Sequence, residues 1–296
     1  MAPSAALGIL SGSTPAHARR RTAIRESWLK FDTSVILTRF VLRCKGSADA
    51  RAEARASPLH TVCAPLDESC RGVGCRSRGV ILALVFWLRH ALSTWPSVQF
   101  VAKADDDVFL RLPEWESLLL SIPQPLRPHA VFGSIRFFSA VVGSQPTPRV
   151  ELRAYAPTYP YALMTARRQR LRETACAGDA GANGTLSAVS TSTVAVAAAS
   201  VTAPGCRVLG PFPYPCGQAF ALGSDLLRAL LAHPAFEAEL ARISALPDGS
   251  ALVTEDGWLG IVLYRSFPNA ATASLSRHRV SRDPALPRLF TLAGEN

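Results

Sequence analysis

The segment Lys103-Ala104-Asp105-Asp106-Asp107-Val108-Phe109-Leu110 sets three carboxylates directly after an apolar run over 98–102. Three adjacent anions repel one another unless a cation compensates them. Oxygen ligands of this kind suit Mg²⁺ or Mn²⁺, and such an ion usually completes its shell with substrate phosphates. In extended backbone Asp105 and Asp107 point to the same side, so both can face one metal–diphosphate unit. A solvated acidic turn would carry the same three residues, so the motif alone leaves metal binding open.

Three further segments carry candidate chemistry. In Arg20-Arg21-Thr22-Ala23-Ile24-Arg25-Glu26-Ser27-Trp28, Arg21 and Arg25 share a helix face. Like charges at that spacing cost about 0.2–0.5 kcal/mol, which an anion would offset. Arg suits phosphate through its planar donors, although an exposed basic face anchored by Trp28 reads equally well. Thr254-Glu255-Asp256-Gly257-Trp258-Leu259-Gly260 opens a helix with two carboxylates. Either they serve the helix dipole or one of them is a general base. Tyr214-Pro215-Cys216-Gly217-Gln218-Ala219-Phe220-Ala221-Leu222-Gly223-Ser224 reads by itself only as turn, strand and helix start.

The elements that must position these residues follow from periodicity. Residues 5–10 read as a buried strand and 11–14 as a polar turn. Thr14 then Pro15 predicts a helix start, with the helix running to about Lys30 and with Ile24, Trp28 and Phe31 on one stripe. Further strands are expected over 35–42, 59–62, 98–102, 130–134 and 219–222. A buried helix is expected over 77–92 and a shorter one over 113–120, while 45–57 is polar and irregular or helical. Ser224 is expected to cap a helix through Leu231, and Thr254 another through about Tyr264. Strands alternating with helices predict an α/β fold with a largely parallel sheet. Residues 145–204 show little periodicity, and 178–203 are nearly all small or polar, as in a flexible loop.

Taken in order, the four segments resemble the β-1,3-galactosyltransferase and N-acetylglucosaminyltransferase family, glycosyltransferase family 31, which includes the fringe-type enzymes. Ile9-Leu10-Ser11 with residues 20–28 resembles that family's opening strand and R-R-x-x-I-R-x-[ST]-W helix. Residues 103–110 resemble its K-x-D-D-D-V-F segment, which carries the D-x-D metal motif. Residues 214–224 are similar to its Y-P-x-Y-x-x-G-x-G-Y-x-x-S segment, and 254–260 to its E-D-V-x-x-G. The likeness spans roughly 7–280.

The resemblance implies a GT-A fold, a Rossmann-like, mixed and mostly parallel sheet flanked by helices, as one domain over 1–296. About 1–110 would form the nucleotide-binding half, and about 111–296 the acceptor half with a low-complexity insertion near 178–204. It implies Mn²⁺, UDP-galactose or UDP-N-acetylglucosamine as donor, a glycan or glycoprotein acceptor, inversion and a β-1,3 linkage. Asp105, Asp106, Asp107, Arg21 and Arg25 would serve the nucleotide-sugar site. Asp105, Asp107 and His278 would serve the metal, and Asp256 would take the acceptor's proton. His278 lies between Arg277 and Arg279, where a surface role serves as well. The acceptor segment departs from the pattern, reading Gly217-Gln218-Ala219-Phe220 where the family ends G-x-G-Y. Gly257 stands where Val is usual, and the family's N-L-T-x-K-T and K-W segments are not found. An inactive GT-A-fold module binding glycan or nucleotide is therefore the alternative expectation.

Composition bounds the rest. The 296 residues are 48% hydrophobic and 18% charged, enough for a sizeable core, which excludes wholesale disorder. The net charge of +10 favours anionic partners, but no Lys/Arg block with interleaved aromatics marks a nucleic-acid surface, and nucleic acid is not an expected partner. The seven cysteines show no C-x-x-C pair and permit up to three disulfides. With the sequon Asn183-Gly184-Thr185 they suit a secretory compartment. The resemblance implies the lumenal side of the Golgi membrane. Because Met1 precedes the first strand by only a few residues, a membrane anchor is expected upstream of this chain, as in a type II membrane protein.

Overall fold

The computed structural model describes residues 3–31, 35–67, 73–142, 149–155, 207–245 and 254–267. His278, the sequon and the predicted insertion near 178–204 lie outside them. The chain forms two compact units, Met1–Arg136 with Pro213–Asn296, and Phe137–Phe212.

The first unit is an α/β structure built on a mixed, mostly parallel sheet. Its strands are β1 (Ala5–Ser11), β2 (Ile36–Lys45), β3 (Thr61–Asp67), β4 (Phe100–Asp105), and the near parts of β5 (Val131–Val142) and β7 (Arg207–Gly223). Their order is β3-β2-β1-β4-β7-β5. β1 pairs parallel with β2 and β4, β2 parallel with β3, and β4 antiparallel with β7. In the second unit β6 (Arg149–Tyr155) follows the outer part of β5 in the strand order.

The helices are α1 (Pro15–Glu26), α2 (Ala48–Ala56), α3 (Val73–Thr94), α4 (Leu112–Ser121), α5 (Ser224–Leu231), α6 (Pro234–Ala245) and α7 (Glu255–Ser266). One face of the sheet, with Ala5, Leu7 and Ile9 of β1, packs with Ile24, Trp28, Ala50, Leu112 and Leu119 from α1, α2, α4 and the turn after α1. Alternation turns Gly8 to the other face, where α3 lies. There a Cβ on Gly8 would come within 2.4 Å of the Trp87 ring. The Trp87 indole N–H also donates to Ala102 O at 2.7 Å, so the ring is fixed and cannot yield. Gly8→Ala is expected to cost about 1–3 kcal/mol through overpacking. A chemical-denaturation midpoint equal to that of the wild type would contradict this reading of Gly8.

Several boundaries differ from expectation for local reasons. The first helix stops at Glu26, and Trp28–Phe31 continue as a 3₁₀ turn. The tighter winding keeps Trp28 buried but turns Phe31 out to 63% exposure, so Phe31 leaves the predicted stripe. Residues 45–57 hold α2, capped by Ser47, whose side chain accepts from Ala50 N. Ser224 is the first residue of α5 and Gly223 its N-cap, because Ser224 N–H donates to Gln99 O. Thr254 holds the N-cap position of α7 without a side-chain cap bond, whereas the Thr14 side chain caps α1 by accepting from His17 N. α6 and β6 had no sequence signal that was read. Cys44 and Cys63, on the adjacent strands β2 and β3, form a disulfide.

Candidate functional site

β1 and β4 lie side by side, and the chain continues from them in opposite directions across the sheet, to β2 and β3 on one side and β7 on the other. In open α/β sheets ligands bind beyond the carboxyl ends of the strands at such a switch point. β1 ends there at Ser11, and β4 ends there at Asp105. The three aspartates therefore sit at the position in the sheet where this architecture places a ligand.

The three are not equivalent. Asp106 is turned inward and is 5% exposed. Its Oδ2 accepts from Ser11 Oγ and pairs with His17 Nδ1, both at 2.6 Å, and its Oδ1 accepts from Arg20 at 2.9 Å. Asp106 thus locks the end of β4 to the end of β1 and the first turns of α1. Trp28 completes the lock, its indole N–H donating to Val108 O at 3.1 Å. Asp105 and Asp107 flank this pin, with side chains 34% and 55% exposed. Among the described residues the nearest cation to Asp107 is Arg20, at 3.9 Å.

Arg21 and Arg25 are gathered on an internal anion. Arg21 is 1% exposed and donates to Ser11 Oγ and Gly12 O at 2.8 and 2.6 Å, fixing the β1–α1 turn. The same guanidinium binds both oxygens of Glu53 on α2, and Arg25 binds Glu53 Oε1 at 2.7 Å while lying over the Phe40 ring. The like charges on α1 are therefore offset by Glu53. Hydrogen bonds from Arg21 hold the Glu53 carboxyl below its ordinary value of 4.5, against the upward push of burial, and Arg25 adds to them. A carboxyl depressed on folding adds stability above its ordinary pKa and loses it as pH falls through the folded value. Glu53→Gln is expected to cost about 2 kcal/mol at neutral pH. It should also flatten the loss of stability expected of the wild type below pH 4.5, as read by urea midpoints across that range. An unchanged acid limb would contradict the clamp.

Lys103, 0% exposed, is the second buried cation of the site, after Arg21. Its ammonium contacts Asp105 at 2.7 Å and Glu255 at 2.8 Å, and it lies over the Phe220 ring. Burial, the largest influence, pulls the Lys103 pKa down, but Glu255 and Asp105 outweigh it and the net shift is upward. Asp105 is pushed up to about 6, first by burial, with Glu255 and Asp107 adding to it against the pull of Lys103. One ammonium shared by two carboxylates leaves an excess of negative charge, and Asp107 enlarges it. Lys103 also ties the remaining two segments to the site. Phe220 faces Lys103 in the β4–β7 register, and Glu255 opens α7. Asp256, next to it, is 7% exposed, and its Oδ1 accepts from Gly257 N at 2.7 Å.

The donor set suits a hard divalent ion. Asp105 and Asp107 offer carboxylate oxygens beside excess negative charge, and Mg²⁺-like ions are commonly held by one or two carboxylates plus substrate phosphates. Among the described residues no group of three or more His, Cys, Asp or Glu side chains is assembled around a metal position. An ion bound here would therefore draw part of its shell from its ligand. His278, the third metal ligand implied by resemblance, lies outside the described residues.

The sequence assigns no role to Ser11, His17, Lys103 or Glu53, and at α7 it leaves Glu255 as one of two candidate carboxylates. The unbalanced Arg21–Arg25 pair was a signal for an anion, and the anion was Glu53 in a polar stretch without a motif. No protein-family model matches the chain, and no curated protein matches it.

Proposed function

We propose that this chain is a metal-dependent, inverting glycosyltransferase of GT-A architecture. In this reading it moves galactose or N-acetylglucosamine from a UDP-sugar to a hydroxyl of a glycan or glycoprotein, in β-1,3 linkage. The observation that carries the proposal is the meeting of all four segments at the carboxyl end of β4. Asp105 and Asp107 stand at the switch point, Asp106 and Val108 are held by the helix segment, and Lys103 is packed on Phe220 and paired with Glu255.

Asp105 and Asp107 would hold Mn²⁺ with the diphosphate, and the ion would supply Lewis-acid stabilisation of the departing UDP. Asp106 keeps these two carboxylates in place by anchoring the chain between them. Arg21 and Arg25, clamped by Glu53, support the β1–α1 turn behind the nucleotide. Asp256 is assigned the proton of the acceptor hydroxyl, with Gly257 N–H fixing the orientation of its carboxylate. The Cys44–Cys63 disulfide supports an oxidising compartment, in keeping with the Golgi lumen. Among the described residues no helix is long and apolar enough to cross a membrane.

The test is turnover of a panel of UDP-sugars with and without Mn²⁺. Mn²⁺-dependent release of UDP from one of them is the expected result. UDP binding without turnover on a broad acceptor panel would favour the inactive-module reading, which the altered Gln218-Ala219-Phe220 segment motivates.

A further inference from the structure

We infer that His17 contacts a sugar hydroxyl of the nucleotide-sugar donor through Nε2, while buried Asp106 fixes the ring. The inference rests on the nucleotide-sugar reading above and adds a residue that no motif named.

The protonation pattern follows from the network. Arg21 donates to Ser11 Oγ, so the Ser11 hydroxyl proton points to Asp106 Oδ2. Arg20 can only donate, and it does so to Oδ1. Asp106 is thus the acceptor throughout, and His17 Nδ1, at 2.6 Å from the same Oδ2, carries the proton. Nε2 is then the ring nitrogen left for a ligand. Among the described residues Nε2 has no hydrogen-bond partner, and the side chain is 32% exposed. A carboxylate paired with one imidazole nitrogen sets the direction of the other.

The position is specific. His17 lies in the first turn of α1, joined through Asp106 to the ends of both β1 and β4, so its ring stands at the switch point. A nucleotide sugar presents hydroxyls from both the ribose and the transferred hexose.

The test uses His17→Asn. The asparagine amide reaches about as far as Nδ1 and can still donate to Asp106, but nothing replaces Nε2. Titration calorimetry in Mn²⁺ compares UDP with UDP-galactose and UDP-N-acetylglucosamine on both proteins, and urea midpoints report folding. The expected result is a near-unchanged midpoint with affinity reduced about five- to tenfold. A loss already present with UDP assigns the contact to the nucleoside half, and a loss seen only with a UDP-sugar assigns it to the hexose. Equal affinity of wild type and His17→Asn for all three ligands overturns the inference and leaves the functional proposal standing. A wild type that binds none of the three overturns both. Should His17→Asn not fold, ¹⁵N spectra of wild-type histidines, assigned with His17→Gln, give the same answer. The Nε2 resonance moves on adding the ligand if the inference holds and stays still if it does not.

Discussion

Asp107→Ala is expected to abolish Mn²⁺-dependent turnover of the donor while leaving the fold intact. The side chain is 55% exposed and its nearest described cation is 3.9 Å away, so its removal breaks no buried contact and should change stability by under about 0.5 kcal/mol. Its role in the proposal is electrostatic: it helps hold the ion that neutralises the leaving diphosphate. Such an ion contributes several kcal/mol to the transition state, so losing it should slow the reaction by about 10²-fold or more. Asp106→Asn should behave differently. Both Asp106 oxygens are spent on Ser11, His17 and Arg20, so that substitution should lower stability as well as rate. Rates measured at saturating donor beside urea midpoints separate the two cases. If Asp107→Ala retained full turnover, the carboxylate would have no part in holding an ion.

Lys103→Met should be the most destabilising single change near the site. Methionine keeps the length of the stem in the core, but Asp105 and Glu255 then face each other without the ammonium between them. Breaking a buried pair by removing one partner costs about 3–5 kcal/mol, because the other charge stays behind. The lower end applies here, since the Asp105 side chain is 34% exposed and water can screen it. Adding Glu255→Gln should recover part of the loss, and the double variant would measure the coupling directly. Strict additivity of the two substitutions would show that Lys103 and Glu255 do not act as a unit.

The parts of the molecule that were legible in the sequence are those governed by local rules. The apolar runs at β1 and β4 and the start of α1 at Thr14 and Pro15 could be read from short windows, because burial and capping act over a few residues. The acidic motif after β4 was legible for the same reason. The division of labour among Asp105, Asp106 and Asp107 was not. Which of the three turns inward depends on Ser11 and His17, about ninety residues earlier, meeting it across the sheet. Glu53 was hidden in the same way, in a polar helix whose sequence carries no sign that two arginines of α1 lie against it. At α7 the motif drew attention to Asp256, while the carboxylate that reaches Lys103 is its neighbour Glu255. A one-residue step on a helix turns a side chain by about 100°, and only the packing of α7 decides which carboxylate faces the strand.

The central claim is that Asp105 and Asp107 bind a divalent ion together with a sugar-linked diphosphate. Its most direct test is calorimetric titration of UDP into the wild-type chain, with Mn²⁺ present and then with a chelator. Clear binding in Mn²⁺ is expected, weakened at least about tenfold by the chelator and to a similar degree by Asp107→Ala. UDP affinity that is the same in chelator as in Mn²⁺, or the absence of any UDP binding, would contradict it.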